Sequence, residues 1–261
     1  MSSPIAIGID IGGTGIKGAV VDLSTGALLS DRVKLPTPKG GRPQDIIETT
    51  RQLLATVSAG TGDVPIGVCF PAVVKHGHTM SAANVSDKWI GLAAEKLFEK
   101  GLGVPIHFVN DADAAGYAES TFGAAKGVDG VVLLTTLGTG IGTALINDGA
   151  LVPNTEFGHL EIDGVDYETR AAFSAKERDN LSWEKWASRL QKYYSKLESL
   201  FTPDLFIVGG GVSKHHENFL PLLHLNTRII PAVHRNNAGI LGAAALAVKN
   251  APVSAELTPP S

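Results

Sequence analysis

An apolar strand that enters a Gly/Thr turn and leaves as a second strand occurs twice in this chain of 261 residues, once in each half. The first copy is Ile7-Gly8-Ile9-Asp10-Ile11-Gly12-Gly13-Thr14-Gly15-Ile16-Lys17. The second is Leu133-Leu134-Thr135-Thr136-Leu137-Gly138-Thr139-Gly140-Ile141-Gly142-Thr143-Ala144. Glycine gives such a turn access to positive φ and leaves backbone N–H groups uncovered, and threonine adds a hydroxyl donor. Taken alone, each turn is either a plain hairpin connection or an anion cradle. Two of them, one from each half, predict a pair of similar lobes gripping a polyanion, with phosphate transfer as the first chemistry to consider. The pattern is not a P-loop, because GxxxxGK[ST] is missing and a strand, not a helix, follows the turn.

The length suits one large domain or two modest ones. With 44% apolar and 18% charged residues and a net charge of −4, the chain reads as an ordinary soluble protein with no nucleic-acid footprint. No apolar run reaches the length of a membrane span, and four residues before the first strand leave no room for a signal peptide. A cytoplasmic setting without a membrane partner is the expectation. The single cysteine, Cys69, sits in the apolar run Ile66-Gly67-Val68-Cys69-Phe70 and reads as a small buried hydrophobe.

Hydrophobic periodicity predicts strands at 5–10, 16–23, 28–35, 66–74, 106–109 and 205–208, with 131–146 as the second hairpin. Helices are expected at 45–58, at 92–100 ended by Gly101, and at 112–122 just after Asn110-Asp111. Two more follow, at 182–201 with Ser182 as N-cap and at 239–248, which is rich in alanine. The first of these carries Trp183, Trp186, Tyr193 and Tyr194, which either pack on their own core or contribute to an interface. Residues 36–43 form a Pro/Gly/Lys-rich loop. The alternation of strands and helices gives an α/β protein. The expected division is a small α/β domain (1–109 plus 237–250), a large α/β domain (110–236) and a disordered tail (251–261).

The chemistry-bearing residues cluster at the turns and strand ends. Asp10 lies two residues before the first turn, where a carboxylate can hold Mg²⁺ through water, since hard cations prefer oxygen and retain hydration. Lys17, just after the turn, either supplies positive charge or is a solvated strand residue. Asn110-Asp111-Ala112-Asp113 closes a strand and opens a helix. One N-cap suffices there, yet three side chains are capable of it. Asp111 is therefore the candidate general base, with Asp113 structural. Glu156-Phe157-Gly158-His159 and Asp166-Tyr167-Glu168 supply mixed donors and acceptors suited to a polyhydroxylated ligand. His159 reads equally as a satisfied structural histidine. With one cysteine in the chain, a zinc cluster is excluded. A long polyanion also asks for basic residues tracking outward from the turns. Lys17, Lys214, His215, His216 and Arg235 are the candidates, against the alternative of an ordinary solvated surface.

Five motifs in order, Asp-Ile-Gly-Gly-Thr-Gly-Ile-Lys, Asn-Asp-Ala-Asp, Leu-Gly-Thr-Gly-Ile-Gly, Glu-Phe-Gly-His and Gly-Gly-Gly-Val-Ser, resemble the ROK family of sugar kinases. The resemblance runs from about residue 5 to residue 247. It implies the actin-like, ribonuclease H-like two-lobed α/β fold of the hexokinase and Hsp70 superfamily, with a central cleft. Ser-Ala-Ala-Asn-Val-Ser-Asp-Lys-Trp-Ile, Leu-Ser-Trp-Glu-Lys-Trp and Val-His-Arg-Asn-Asn-Ala-Gly-Ile-Leu-Gly-Ala-Ala resemble the polyphosphate glucokinases of that family. That subgroup phosphorylates glucose, and in one branch mannose, from inorganic polyphosphate, often with ATP as an alternative donor. Many ROK kinases carry a CxCGxxGC zinc cluster after the Glu-x-Gly-His motif. Residues 164–179 contain no cysteine here, so this loop must be fixed without metal.

Position by position, the resemblance implies that Asp111 deprotonates the sugar 6-hydroxyl. Asn84, Asn110, Glu156, His159 and Glu168 would hydrogen-bond the other hydroxyls. Gly12, Gly13, Thr14, Gly138, Thr139 and Gly140 would cradle the donor phosphates, with Lys17 and Lys214 alongside and Gly209, Gly210 and Gly211 bordering the donor channel. Asp10 would hold Mg²⁺. A homodimer is implied as well. Among other readings, a sugar-responsive repressor of the same family carries an N-terminal helix-turn-helix, for which four residues leave no room. A non-catalytic sensor has no need of Asp111. A strictly ATP-dependent hexokinase of the same fold differs only in its donor.

Overall fold

Ile5, Ile7, Ile9 and Ile11 alternate with Ala6, Gly8 and Asp10 along the first strand, so one face is bulky and the other nearly bare. The chain is described from residue 4 to residue 250 in a computed structural model, and the tail expected at 251–261 lies outside the described residues. The first strand, β1 (Ile5–Ile11), pairs antiparallel with β2 (Gly15–Asp22), which also carries β3 (Ala27–Leu28) and β4 (Val33–Pro36). After α1 (Pro43–Val57) comes β5 (Ile66–Phe70), parallel to β1. A small hairpin of β6 (Val74–Lys75) and β7 (His78–Thr79), then α2 (Ala94–Leu102), lead to β8 (His107–Asn110), parallel to β5. Helix α3 (Asp111–Phe122) crosses to the second sheet, which opens with β9 (Val131–Leu137), β10 (Ile141–Asn147) and β11 (Ala150–Val152). A short hairpin, β12 (Glu161–Ile162) and β13 (Val165–Asp166), precedes α4 (Glu168–Ala171), α5 (Phe173–Arg178) and α6 (Trp183–Phe201). Strands β14 (Leu205–Gly209) and β15 (Arg228–Pro231) complete the sheet, and α7 (Ala238–Lys249) ends the described chain.

The strand order 3-2-1-5-8 of the first sheet recurs as 11-10-9-14-15 in the second. Each sheet is an antiparallel hairpin extended by two parallel strands. The repeated hairpin of the sequence is thus the seed of a repeated sheet. The bulky face of β1 packs with α1 and α2 in one core that includes Phe70, Trp89 and Phe98. In the second sheet, Leu133 and Phe206 face α6 in a separate core, where Trp186, Tyr193 and Tyr194 are fully buried. Those aromatics belong to their own core, which answers the interface alternative for three of the four residues.

Between the sheets lie α7 and α3. A third core joins Ala6, Ala19 and Val21 of the first sheet to Ala115, Leu134, Ile207 and Ile240. The approach is close because the contact residues are small. A Cβ on Gly8 would sit 1.9 Å from the Ile240 carbonyl oxygen, and one on Gly67 1.9 Å from that of Ala243. A Cβ on Gly242 would sit 1.7 Å from the Ala114 carbonyl oxygen. The Ala-rich composition of α7 is therefore a packing requirement on two sides.

Several boundaries differ from the sequence reading. The strand expected at 28–35 is two short strands on β2, and the one expected at 66–74 stops at Phe70, before Pro71, which has no N–H to donate. Gly101 does not end α2. It lies inside the helix, where a Cβ would meet Ile47 at 2.2 Å, and Gly103 at φ 75° provides the left-handed cap. The Ser182 side chain does cap α6, accepting from the Lys185 amide at 3.3 Å. No helix among the described residues is long and apolar enough to cross a membrane.

Gly242→Ala forces a methyl group into backbone, with no side chain able to yield. It should cost about 2–3 kcal/mol, the upper range for overpacking, and lower the melting temperature by roughly 5–10 °C. A melting temperature within about 2 °C of the parent protein would contradict this helix packing.

Candidate active site

The two glycine turns are each closed by a backbone hydrogen bond, over four residues (12–15) in the first and three (138–140) in the second. In the first, the Gly12 amide donates to the Gly15 carbonyl at 3.0 Å; in the second, the Gly138 amide donates to the Gly140 carbonyl at 3.0 Å. Among the described residues, the amides at the turn tips, Gly13 and Thr14 in one and Thr139 and Gly140 in the other, have no partner within the protein. Such exposed N–H groups form an anion nest. The expectation of positive φ fails, however, since none of the glycines in either turn has it. These glycines serve close approach. A Cβ on Gly13 would meet Asn84 Cβ at 2.8 Å, and one on Gly140 would meet a Glu168 carboxylate oxygen at 2.4 Å.

The register Asp10↔Lys17 puts these two residues directly opposite on β1 and β2, and Lys17 Nζ donates to Asp10 Oδ2 at 3.0 Å. The corresponding pair in the second hairpin is Thr136↔Gly142. Glycine is required there because a Cβ on Gly142 would meet Ala112 at 2.9 Å. That gap admits the start of α3 beside the second turn.

Asn110 caps α3, accepting from the Ala112 and Asp113 amides at 2.8 and 3.0 Å, while its Nδ2 donates to the Ala72 carbonyl at 2.9 Å. Its oxygen is committed to the helix, so one N–H remains for a ligand. Asp111 follows as the first helical residue and accepts from the Ala112 amide at 2.9 Å. Burial, reinforced by the nearby Asp10 carboxylate, pushes its carboxyl up to about 7. Asp113 is 1% exposed and accepts from the Asn154 amide at 2.8 Å, and burial, then Glu156, pushes it up to about 7 as well.

Glu156 is the N-cap and His159 the last residue of a single 3-10 turn, Phe157–His159, and at i and i+3 they project from one side. Gly158 lies between them because a Cβ would meet the Ile141 carbonyl oxygen at 2.1 Å. His159 Nδ1 and Asp166 Oδ2 lie 2.9 Å apart, and this hydrogen bond raises the histidine's proton affinity. Burial raises the Glu156 carboxyl, with Glu168 adding to it. One Glu168 oxygen accepts from the Ile141 amide at 2.7 Å, which ties this residue to the second turn.

Two cavities meet at Asp111. A cleft of about 740 Å³ is lined by Asn84, Asn110, Glu156, His159, Glu168, Gly138, Thr139 and Gly140. A smaller cavity of about 180 Å³ is lined by Asp10, Lys17, Gly209, Gly210, Gly211 and Arg235. Asp111, Ala112, Thr136 and Gly210 line both. Several of the expected donor-side residues lie outside both cavities. Gly12, Gly13 and Thr14 line neither cavity, and Gly13 packs against Asn84, which lines the cleft. Lys214 is exposed on the 3-10 segment Gly211–Asn218 and also lines neither, as do His215 and His216, although Gly211 at the start of that segment lines the small cavity. Of the basic track, Lys17 and Arg235 remain, Arg235 at φ 45°, a conformation rare outside glycine.

Sequence reasoning missed Thr136, Glu119 and Asn236 in the small cavity and the wall Pro71, Ala72 and Val73 in the cleft. Thr136 lies in the second hairpin and Asn236 in the Val-His-Arg-Asn-Asn run, but it is the tertiary fold that brings these residues to the cavities. It also missed what fixes residues 166–179. Trp186 Nε1 donates to the Ala171 carbonyl at 2.9 Å, and Asp179 accepts from Arg178 at 2.8 Å and Arg189 at 2.7 Å. The Ser174 amide and hydroxyl then donate to the carbonyls of Gly138 and Thr139 at 3.0 and 2.6 Å, bracing the second turn. No group of three or more His, Cys, Asp or Glu able to hold a metal occurs among the described residues.

The ROK family profile matches residues 6–175. A polyphosphate glucokinase from Mycobacterium tuberculosis (strain CDC 1551 / Oshkosh) is 47% identical over 243 residues, covering 92% of this chain and 90% of that protein. Among solved structures, an inorganic polyphosphate/ATP-glucomannokinase from Arthrobacter sp. strain KM matches with a TM-score of 0.90 and 51% identity, covering 95% of this chain and 99% of that one. A ROK family glucokinase from Streptomyces griseus, in complex with glucose and AMPPNP, matches with a TM-score of 0.80 and 27% identity over 94% and 99% of the two chains.

Asp111 and Asp113 both bind a proton more tightly in the folded chain than in the unfolded one. The native state therefore holds more protons between about pH 4 and pH 7, and stability falls as pH rises through that window. Asp111→Asn removes its share. The variant should melt above the parent at about pH 8 and together with it near pH 4. An equal gap at both pH values, measured by thermal melts, would show that Asp111 carries no such burden.

Proposed function

The chain belongs to the ROK family, and we propose that it transfers the terminal phosphoryl group of inorganic polyphosphate to the 6-hydroxyl of glucose. The observation that carries this reading is that Asp111 lines both cavities, so one carboxyl stands between the cleft edged by the second glycine turn and the smaller cavity that holds Asp10 and Lys17. In this reading glucose occupies the larger cleft. Asn84, the remaining Asn110 N–H, Glu156, His159 and Glu168 hold its other hydroxyls, and ionised Asp111 takes the 6-hydroxyl proton as the oxygen attacks phosphorus. The donor's terminal phosphate lies against the amides of Thr139 and Gly140 and those of Gly13 and Thr14. Lys17 offsets charge from the small cavity. Phosphoryl transfer asks mainly for alignment and neutralisation, and closure over the sugar would exclude water.

Asp10 fits a hydrated Mg²⁺, because it presents a carboxylate in the same small cavity as Asp111 and next to the first turn. When bound there, the cation would screen the donor phosphates. Among the described residues no aromatic side chain lines the small cavity, where carboxylate, ammonium, guanidinium and amide groups stand beside glycine, alanine and leucine, and this favours a bare phosphate chain over a nucleotide as donor. The 47% identity to a polyphosphate glucokinase over 92% of the chain supports the same donor. ATP as a second donor and mannose as a second acceptor follow the activity in the Arthrobacter protein's name, polyphosphate/ATP-glucomannokinase. A cytoplasmic homodimer completes the reading, and sedimentation of the purified protein measures the assembly.

With Mg²⁺ and glucose, purified protein should form glucose 6-phosphate from long-chain polyphosphate as sole donor. Absence of product with polyphosphate, but formation with ATP, would replace this reading with that of a nucleotide-dependent hexokinase. Asp111→Asn should lower kcat by roughly 10²–10⁴ while glucose binding stays within a few-fold. The kcat/KM profile of the parent should rise with pH through about 7, as Asp111 ionises. A profile flat from about pH 5.5 to 8.5 would remove Asp111 from the base role.

A further inference from the structure

One side chain bridges the two sheets at the acceptor cleft without facing it. Asn154 follows β11 of the second sheet and stands at φ 59°, in the left-handed region that asparagine tolerates better than most residues. Its Oδ1 accepts from the Val74 amide at 2.8 Å and its Nδ2 donates to the Val74 carbonyl at 2.7 Å. The side-chain amide thus pairs with one residue of β6 as a neighbouring strand would. Val74 is 8% exposed and belongs to the core of the first sheet, so the clasp ties one lobe to the other.

The backbone of Asn154 is held as firmly. Its amide donates to Asp113 Oδ2 at 2.8 Å, and Asp113 lies two residues beyond Asp111 on α3. The next residue, Thr155, is fixed to β10 by the Thr143 hydroxyl, which donates to the Thr155 carbonyl at 2.6 Å. Glu156 then enters the cleft. On the other side of the clasp, the residues just before Val74, namely Ala72 and Val73, line the facing wall.

We infer that Asn154 is a positioning residue that fixes both walls of the acceptor cleft against each other and against the helix carrying Asp111. The inference rests on the reading of this cleft as a hexose site. Without the clasp, Glu156 and the 71–73 wall are free to separate, and the sugar must order them on binding. That cost falls on acceptor affinity and leaves the donor side, built from the glycine turns and the small cavity, largely untouched.

The test is glucose binding by calorimetry, with steady-state kinetics, on the full chain and on Asn154→Gly. Glycine keeps the left-handed backbone and the amide bond to Asp113, so only the clasp is lost. Glucose Kd and KM should rise about tenfold or more, the loss expected for two neutral hydrogen bonds, while KM for polyphosphate changes less than about twofold. The share of phosphate released to water, relative to that transferred to glucose, should rise as well. Asn154→Asp, which also tolerates φ above zero, keeps the acceptor for the Val74 amide but sets an oxygen against the Val74 carbonyl. It should bind glucose at least as weakly as the glycine variant, and it serves as the second variant should the first not fold. A folded Asn154→Gly or Asn154→Asp protein with the parent's glucose Kd would overturn the inference, even with a lowered melting temperature. If the parent itself binds no glucose, the failure lies with the hexose reading.

Discussion

The closeness of α7 to the first sheet on one side and to α3 on the other is the constraint on which the site depends. Asp10 ends the bare face of β1, and Gly239, in the first turn of α7, lies so near that a Cβ would stand 3.0 Å from the Asp10 carboxyl carbon. Asp111 begins α3, which is pressed onto α7 through Gly242. Widening either contact by one methyl group would move the two carboxylates apart and open the small cavity between them. Small residues here have a functional result: they let two helices fit between two sheets, so that strand ends from both lobes converge.

Convergence has an electrostatic consequence. Asp111 is poised near neutrality because it is taken out of water beside another carboxylate, and neither effect is local to the Asn-Asp-Ala-Asp sequence. Lys17, directly across the ladder, pairs with Asp10 and limits how much negative charge accumulates. A carboxyl poised in this way is a burden on folding stability above neutral pH.

Much of this was legible in the residues, because local patterns encode it. The two hairpins, the strand-to-helix junction at Asn110 and the Ser182 cap are short-range features, and each lies where periodicity and capping rules put it. What failed depends on distant partners. Glycines 13, 15, 140 and 142 looked like turn residues that need positive φ, yet they answer to Asn84, Lys34, Glu168 and Ala112, between 19 and 71 positions away in the numbering. Lys214, expected in a basic track leading outward from the turns, is exposed on the 3-10 segment Gly211–Asn218 and lines neither cavity. Ala72, Val73 and Thr136 have no distinctive chemistry as letters, and only the sheets bring them to the cleft.

Both glycine turns are braced within the protein itself. Thr37 donates its hydroxyl to the Gly12 carbonyl, and the loop that carries it is held by Trp89 Nε1 on the Gly41 carbonyl at 2.9 Å. On the other lobe, Ser174 holds two carbonyls of the second turn, and Trp186 with the Arg178, Asp179 and Arg189 group holds the segment that carries Ser174. Each brace engages turn carbonyls and leaves the opposite edge of the peptide units, the N–H edge, unpaired. Donors fixed in advance need no reorganisation when charge develops on a transferring phosphoryl group, which is where electrostatic catalysis gains most. The cysteine-free loop after Glu-Phe-Gly-His therefore has a physical replacement for metal. An indole N–H and a pair of guanidinium groups supply the rigidity, and they can do so because the buried aromatic core beneath α6 holds Trp186 in one place.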